Sequence, residues 1–297
     1  MRVFVTGASG FIGVEVVKEL VKAGHKVVGM ARSDEGVKRV KNAGGEVHRG
    51  TLEDLESLKS GAATADGVIH LAFNHDFSKF QQNCEDDRKA IEAMGDALAG
   101  TNRPLIVTGG VALIAPDRIA TEKDTGNANF PRHSERAGLA QIDKGVKASV
   151  MRLPQVHDPR KQGLVTYLVE AAKQTGVSAY VEEGSNHWPA CHVTDCARLY
   201  RLALEKADAG DILHAVAEQG ITLKEIAETL GKRLNLPVVS IPQEKVEQHF
   251  GWLAMFAGVD CRVSADITQK KFDWHPKGPK LITDLQNLVV EKQNALA

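Results

Sequence analysis

The chain has 297 residues, of which 43% are hydrophobic and 25% are charged, and its formal net charge at pH 7 is −1. This composition is typical of a globular protein, and the near-neutral charge argues against nucleic acid or an anionic membrane as a partner. The sequence has no run of 18 apolar residues and no basic leader before an apolar stretch, so we expect a cytoplasmic protein without a membrane span.

Apolar runs and amphipathic stretches alternate through the first half of the chain. Predicted strands cover 2–6, 26–30, 46–48, 67–71, 104–108 and 148–153. Predicted helices cover 11–23, 36–42, 52–60, 80–98 and approximately 135–144. The alternation predicts an α/β fold, in which a doubly wound parallel sheet carries helices on both faces and binds ligands at the carboxyl ends of its strands.

The alternation ends after residue 153. Residues 154–163 are predicted to form a loop, and they are followed by helices at 164–173 and 195–205 and a strand at 212–216. A further helix is predicted at 223–234, because Thr222 and Glu225 resemble a capping box ahead of an amphipathic stretch. The tail, 243–297, is predicted to be mostly helical. Residues 158–188 and 218–297 are predicted to pack over the mouth of the sheet.

The four cysteines (Cys84, Cys191, Cys196 and Cys261) are too few and too widely spaced for a disulfide framework, so reduced thiols are expected. Cys191, His192 and Cys196 lie close in sequence. No second pair of ligands with the spacing of a zinc site accompanies them, and we predict no metal site.

Three glycines follow the first predicted strand, in the sequence Val5-Thr6-Gly7-Ala8-Ser9-Gly10-Phe11-Ile12-Gly13. Glycines there permit a sharp turn and the close approach of a diphosphate to the free N–H groups of the next helix, whose dipole favours an anion. The motif therefore predicts a dinucleotide-binding domain. The residues predicted to hold the diphosphate are Gly7, Ser9, Gly10, Phe11, Ile12 and Gly13.

The end of the second predicted strand indicates which dinucleotide is bound. A carboxylate at that position would bind the ribose diol of NAD, but this chain has Arg32 and Ser33 there, and Asp34 comes slightly later. A guanidinium and a hydroxyl suit a 2′-phosphate, so NADP(H) is favoured over NAD(H). The alternative is that Arg32 is a solvated surface charge.

Other strand ends complete the predicted cofactor site. Thr51 and Leu52 follow the third strand, where adenine would lie. Leu71 and Ala72 end the fourth strand, and the small Ala72 would allow close approach of the cofactor to the backbone. Thr108 ends the fifth strand and Pro154 follows the sixth, both beside the predicted nicotinamide. His70 is interpreted as a core histidine.

Four segments occur in an informative order: the glycine motif, His70-Leu71-Ala72, Arg152-Leu153-Pro154-Gln155-Val156-His157 and His192-Val193-Thr194-Asp195-Cys196-Ala197. Together they resemble the extended short-chain dehydrogenase/reductase superfamily, in its NAD(P)-dependent epimerase/dehydratase branch, and most of all its atypical reductase-like members. The resemblance implies a Rossmann-type fold with a smaller C-terminal substrate-binding region. We expect 1–157 plus 190–217 to bind the dinucleotide and 158–189 plus 218–297 to bind the substrate.

The expected catalytic residues are missing. Members of the superfamily usually carry a Tyr-x-x-x-Lys pair, in which the tyrosine transfers a proton and the lysine lowers its pKa. Ser134 and Gly138 stand at about the corresponding positions here. The tyrosines are Tyr167, Tyr180 and Tyr200, and none is followed by lysine four residues later.

Another group would therefore handle the proton. Thr108, Ser134 and His157 are our predicted catalytic residues, while His133, Tyr180 and His192 are further candidates. Phe73, Trp188 and His192 are predicted to contact substrate, although Trp188 is as readily a packed core residue. Arg132, Arg136 and Arg160 could form a cationic pocket for a nucleotide-sugar diphosphate, but the sequence does not place them.

The sequence favours an NADP(H)-dependent oxidoreductase that acts on a small, fairly apolar aldehyde or ketone, as a monomer or homodimer. Two alternatives stay open: a non-catalytic NADP(H)-binding redox sensor, and an enzyme similar to sugar-nucleotide epimerases or dehydratases. The last depends most on the missing tyrosine, which must abstract a proton.

Overall fold

The strands of the computed structural model, which describes residues 1–115, 118–126 and 130–290, belong to one large and two small sheets. In chain order they are β1 (Arg2–Thr6), β2 (Lys26–Ala31), β3 (Glu46–Arg49), β4 (Gly67–His70), β5 (Pro104–Gly110), β6 (Lys147–Leu153), β7 (Gln155–Asp158), β8 (Lys161–Gln162), β9 (Ser178–Val181), β10 (His187–His192), β11 (Ile212–His214), β12 (Glu218–Thr222) and β13 (Val238–Ile241).

The large sheet has the order β11-β6-β5-β4-β1-β2-β3, and every neighbouring pair in it is parallel. The chain winds outward from β1 in one direction as far as β3, and then returns to β4 on the other side of β1. Ligands of open α/β sheets bind where the direction of winding changes, outside the carboxyl ends of the strands. The predicted doubly wound parallel sheet is therefore confirmed, and its switch point lies between Thr6 and His70.

Helices cover both faces of this sheet. In chain order, the helices of the described ranges, including those that pack on the small sheets or in the tail, are α1 (Phe11–Lys22), α2 (Asp34–Asn42), α3 (Leu55–Ala63), α4 (Phe80–Leu98), α5 (Ser134–Leu139), α6 (Val165–Thr175), α7 (Val193–Lys206), α8 (Leu223–Leu234), α9 (Val246–Phe250), α10 (Ala254–Ala257), α11 (Asp266–Phe272) and α12 (Leu281–Gln286). Helices α1 and α7 pack together on one face, and α3, α4 and α5 pack on the other.

Alternating apolar residues in the strands build a separate core on each face. Val3 and Val5 of β1 belong to the core beneath α1 and α7, whereas Phe4 belongs to the core beneath α3 and α4. Ile69 and Val68 divide between the two cores in the same way. Because successive side chains of a strand point to opposite faces, a sheet buried on both sides needs these uninterrupted apolar runs.

A small sheet replaces the loop that the sequence analysis predicted at 154–163. Its order is β12-β10-β7-β8, with β7 parallel to β10 and antiparallel to β8. Strands β9 and β13 form a further parallel pair. The loop prediction is wrong because β7 and β8 are short, and because β7 also pairs with β10, which lies far away in sequence, where local patterns give little signal.

Caps move several helix boundaries from their predicted positions. The Ser33 hydroxyl accepts from Gly36 N, so α2 begins at residue 34 rather than 36. The Asp54 carboxylate accepts from Ser57 N, so α3 begins at residue 55 rather than 52. The helix predicted at 135–144 is a short α5 followed by a 3₁₀ turn. Side-chain caps of this kind fix where a helix starts.

The described part of the tail consists of short helices joined by irregular segments and 3₁₀ turns. Trp274, Leu281 and Leu285 anchor it by burying their side chains completely. In the described ranges, no helix has both the length and the apolar character that crossing a membrane requires.

Candidate functional site

The glycine turn after β1 is shaped by contacts that leave no space for side chains. Gly7 has a φ of +67°, and a Cβ added there would lie 2.8 Å from Ala72 N. A Cβ at Gly13 would lie 2.8 Å from Ala8 Cα and nearer still to Gly7 O. Gly10 donates its N–H to Gly7 O at 2.9 Å and precedes α1 without a side-chain cap. The first N–H groups of α1 are therefore accessible to an anion. The glycine turn and this uncapped helix N-terminus fit a diphosphate.

The Thr6 hydroxyl ties together the carboxyl ends of β1 and β4. Its Oγ1 accepts from the N–H groups of Leu71 and Ala72, both at 3.2 Å, and lies 2.7 Å from His70 Nδ1. With two donors already bound, the hydroxyl gives its own proton to Nδ1, which assigns the other ring proton of a neutral His70 to Nε2. This bonding holds Leu71 and Ala72 beside the glycine turn.

At the carboxyl end of β2, the Arg32 side chain is exposed and bonds to no other described residue. The first carboxylate after this strand, Asp34, forms an ion pair with Arg49 at the end of β3. Asp34 is therefore engaged by Arg49, and the Arg32 side chain has no ion-pair partner among the described residues. The sequence analysis missed Arg49; its position directly at a strand end was the available signal.

The other predicted cofactor residues lie at or beside strand ends. Ser33 is exposed, and its hydroxyl caps α2 while retaining a proton to donate. Thr51, Leu52, Leu71 and Pro154 are half-buried. The structure thus places these residues along the carboxyl edge of the sheet or in the loops that leave it.

A buried chain of hydrogen bonds occupies the position expected for the catalytic tyrosine. His70 Nε2 bonds to Asp87 Oδ1 at 3.1 Å, and Ser134 donates its hydroxyl to Asp87 Oδ2 at 2.5 Å. Burial raises the pKa of the Asp87 carboxyl, but the hydrogen bonds from His70 and Ser134 and the positive charge of Arg132 outweigh burial and hold that pKa below its usual value. Ser134 is 1% exposed, so its hydroxyl is committed to this chain.

Gly138, at the position expected for the catalytic lysine, packs directly on β5. A Cβ added there would lie 2.5 Å from Val107 Cγ2. A side chain at this position would therefore require α5 to shift. The packing, and not only the identity of the residue, differs from what a catalytic lysine would need.

Thr108 is held at the end of β5 by two buried bonds. Its hydroxyl donates to His70 O at 2.6 Å and lies 2.7 Å from the Tyr200 hydroxyl. Burial raises the pKa of Tyr200 well above its ordinary value, which keeps the phenol protonated. Thr108 and Tyr200 consequently fix the ends of β4 and β5 relative to α7.

The Arg132 guanidinium lies beside the ends of these strands, and the sequence analysis did not place it. Its Nε donates to Ser134 Oγ at 2.9 Å and its Nη2 donates to Thr108 O at 3.0 Å. The guanidinium carbon lies 4.1 Å from the centroid of the Phe73 ring. This arrangement brings together Thr108, Ser134 and Phe73, three of the residues predicted to act in catalysis or substrate binding.

Aromatic rings, all half-buried except the exposed Trp252, extend from Phe73 towards the tail. Phe77 stacks on Trp252 with centroids 4.0 Å apart, and Tyr167 meets Trp252 edge to face at 4.8 Å. Phe80 contacts both Phe73 and Phe77. We call Phe73, Phe77, Phe80, Tyr167 and Trp252 the aromatic cluster. It joins the loop after β4 to α6 and the tail, at the carboxyl side of the sheet.

His157 and His192 belong to a different set of contacts. His157 Nδ1 lies 2.7 Å from Asp284 Oδ2, and the two imidazole rings pack edge to face with centroids 5.7 Å apart. His157 is fully buried, and burial lowers its pKa despite the neighbouring Asp284 carboxylate. Trp188 is 2% exposed within β10. These residues join the small sheet to the tail rather than contacting Thr108 or Ser134.

Cys191 and Cys196 are buried as free thiols close to His192. Within the described ranges, no group of three or more His, Cys, Asp or Glu side chains is arranged to hold a metal ion.

Comparison with known proteins gives three consistent findings. The model of a family described as NAD dependent epimerase/dehydratase matches residues 3–216. An uncharacterized protein of Schizosaccharomyces pombe is 48% identical over 289 residues, covering 96% of this chain and 98% of the relative. A 4-hydroxy-2-methyl-3-oxo-4-farnesyl-3,4-dihydroquinoline-1-oxide ketoreductase of Stigmatella aurantiaca is 24% identical over 274 residues, or 86% of this chain and 82% of the relative.

The fold also matches solved structures. A dTDP-glucose 4,6-dehydratase of Streptomyces venezuelae with NAD bound superposes with a TM-score of 0.77 over 96% of this chain and 95% of that one, at 18% identity. At that identity the likeness concerns the fold alone, and it identifies the large sheet as Rossmann-type.

Proposed function

Because the chain belongs to the NAD dependent epimerase/dehydratase family of the extended short-chain dehydrogenase/reductase superfamily, we propose that it is an NADP(H)-dependent reductase of small, fairly apolar aldehydes or ketones. One observation carries the proposal. Two adjacent residues after β4 connect the proposed cofactor site with the proposed substrate site. Ala72 lies against Gly7 of the glycine turn, and Phe73 begins the aromatic cluster. The sequence likeness to a relative named as a ketoreductase supports the same reaction class.

The residues proposed to hold NADP(H) follow the carboxyl edge of the sheet. The diphosphate would contact the turn from Gly7 to Gly13, and the 2′-phosphate would pair with Arg32 and the Ser33 hydroxyl. Adenine would lie near Thr51 and Leu52. The ribose and nicotinamide would lie against Leu71, Ala72, Thr108 and Pro154.

When bound, NADPH would supply a hydride to the carbonyl carbon, and uptake of a proton by the carbonyl oxygen would give the alcohol and NADP⁺. The chain's own residues orient the substrate. Thr108 and Ser134 are positioning residues in this proposal, because their hydroxyls bond to His70 O and Asp87. Since His157 is buried against Asp284, we assign the proton to water rather than to this imidazole.

Purified protein incubated with NADPH and a panel of aldehydes and ketones tests the proposal. Loss of reduced-nicotinamide absorbance above the blank without substrate is the expected result. NADPH consumption no faster than the blank on every compound would refute a reductase.

A redox sensor is the second candidate function. The structure at the two positions where the Tyr-x-x-x-Lys pair is expected favours it. Ser134 is buried, and Gly138 has no room for a side chain. Tight NADP(H) binding without turnover would support this function. UDP-glucose and dTDP-glucose belong in the same panel, because their conversion would instead support an epimerase- or dehydratase-like reaction.

The division into a dinucleotide-binding part (1–157 and 190–217) and a substrate-binding part (158–189 and 218–297) stays a proposal. The cytoplasmic location and the monomeric or homodimeric state also remain predictions.

A further inference from the structure

Arg132 is a half-buried cation with donors to spare. A guanidinium carries five N–H groups, and the two bonds to Ser134 Oγ and Thr108 O use two of them. Both acceptors are neutral. Across the described ranges, no carboxylate oxygen lies within 4.0 Å of this guanidinium. A partly desolvated positive charge of this kind is stabilised by an anionic partner.

Asp87 does not fill that role directly. Its two carboxylate oxygens are bonded to His70 and Ser134, and it reaches Arg132 only through the Ser134 hydroxyl. Because Ser134 gives its proton to Asp87, its lone pairs are directed to accept from Arg132. The buried chain therefore holds the guanidinium in place and leaves three N–H groups uncommitted.

The surroundings of Arg132 are apolar. The Phe73 ring lies beneath the guanidinium carbon, and Phe80 and Phe77 continue the surface towards Trp252, which is 40% exposed. A ligand that fits both features carries an anionic group at one end and an aromatic or other apolar group at the other. Parallel N–H donors of a guanidinium match the two oxygens of a carboxylate.

We propose that Arg132 binds the carboxylate of the substrate, and that the substrates are 2-oxo acids with an apolar or aromatic side chain. This inference rests on the proposed reductase function. The reaction would convert the 2-oxo acid, NADPH and one proton into the 2-hydroxy acid and NADP⁺. Arg132 orients the substrate, and the aromatic cluster receives its side chain.

Phenylpyruvate and phenylacetone provide a matched pair of substrates, since a methyl group replaces the carboxylate in the second. The expected kcat/KM of the native protein is about 100-fold higher for phenylpyruvate. Arg132→Gln is expected to reduce that ratio to a few-fold by lowering the phenylpyruvate value. Arg2→Gln, at the opposite end of β1, is the control and should preserve the ratio.

Equal reduction of both compounds by the native protein would overturn the proposal. So would an Arg132→Gln variant that loses activity equally towards both, because that result assigns the guanidinium to the carbonyl oxygen. Unchanged NADPH affinity and an unchanged thermal unfolding midpoint show that the variant is folded.

Calorimetry keeps the test independent of turnover. In the presence of NADP⁺, 3-phenylpropanoate should bind at least about 10-fold more tightly than 3-phenylpropanamide, and Arg132→Gln should remove the difference. Equal affinities in the native protein would contradict an anion site. If no carbonyl compound is reduced, the reductase proposal fails, and this binding difference alone decides whether Arg132 recognises a carboxylate.

Discussion

The Gly13→Ala substitution tests whether close packing at the glycine turn positions the start of α1. The added methyl carbon would lie 2.8 Å from Ala8 Cα and nearer still to Gly7 O. Ordinary carbon–carbon contacts lie at about 3.5–4.0 Å, so the start of α1 must retreat by about 1 Å. Overpacking of this kind costs about 1–3 kcal/mol, and we expect the upper part of that range because the obstructing atoms are backbone.

The same displacement moves the N–H groups that are proposed to hold the diphosphate. Gly13→Ala should therefore lower the free energy of unfolding by about 2–3 kcal/mol and weaken NADPH binding by more than about 10-fold. Urea unfolding and calorimetric titration measure the two effects. The matched control is Gly258→Ala, whose Cβ would meet nothing nearer than 3.9 Å. A Gly13→Ala variant as stable as the control, with native affinity for NADPH, would show that neither the fold nor dinucleotide binding needs a glycine at this position.

Three further predictions concern other parts of the molecule. Arg32→Ala should weaken NADPH binding by about 10- to 100-fold and leave NADH binding almost unchanged; equal losses in calorimetry would show that Arg32 does not touch the phosphate. Trp252→Ala removes the stack on Phe77 and should lower kcat/KM for aromatic carbonyls several-fold, whereas the exposed Met255→Ala should not. Burial lowers the pKa of His157, so the unfolded chain binds its proton more readily and stability should fall as the pH decreases below about 6.5. His157→Gln should make that decline in urea unfolding shallower, and an unchanged slope would contradict the assignment.

The parallel sheet was predictable because its strands are buried on both faces. Runs such as Val3-Phe4-Val5 must be apolar at every position when alternate side chains enter different cores. Such runs carry their signal locally, and the alternation with helices then determines the parallel arrangement.

The small sheet was not predictable in the same way. Strand β7 has four residues, and its partners are β10, about thirty residues later, and the two-residue β8. The pairing of β7 with the distant β10 depends on how the whole chain folds. The adjoining Pro154 and Gly163 favour a loop when the sequence is read locally.

The candidate site likewise has one part that was predictable from the sequence and one part that was not. The glycine turn is contiguous in sequence, so its residues and their spacing were visible at once. The Arg132–Phe73 contact and the Arg49–Asp34 pair each join residues from separate loops. Their meeting depends on the strand order, which sequence patterns do not fix.

Calorimetric titration of the native protein with NADPH and with NADH shows whether the chain binds a dinucleotide and which one it prefers. We expect saturable binding of one dinucleotide per chain, with NADPH bound about 10- to 100-fold more tightly because of the 2′-phosphate. Well-folded protein that shows no saturable binding of either dinucleotide, or that binds NADH more tightly, would contradict this expectation.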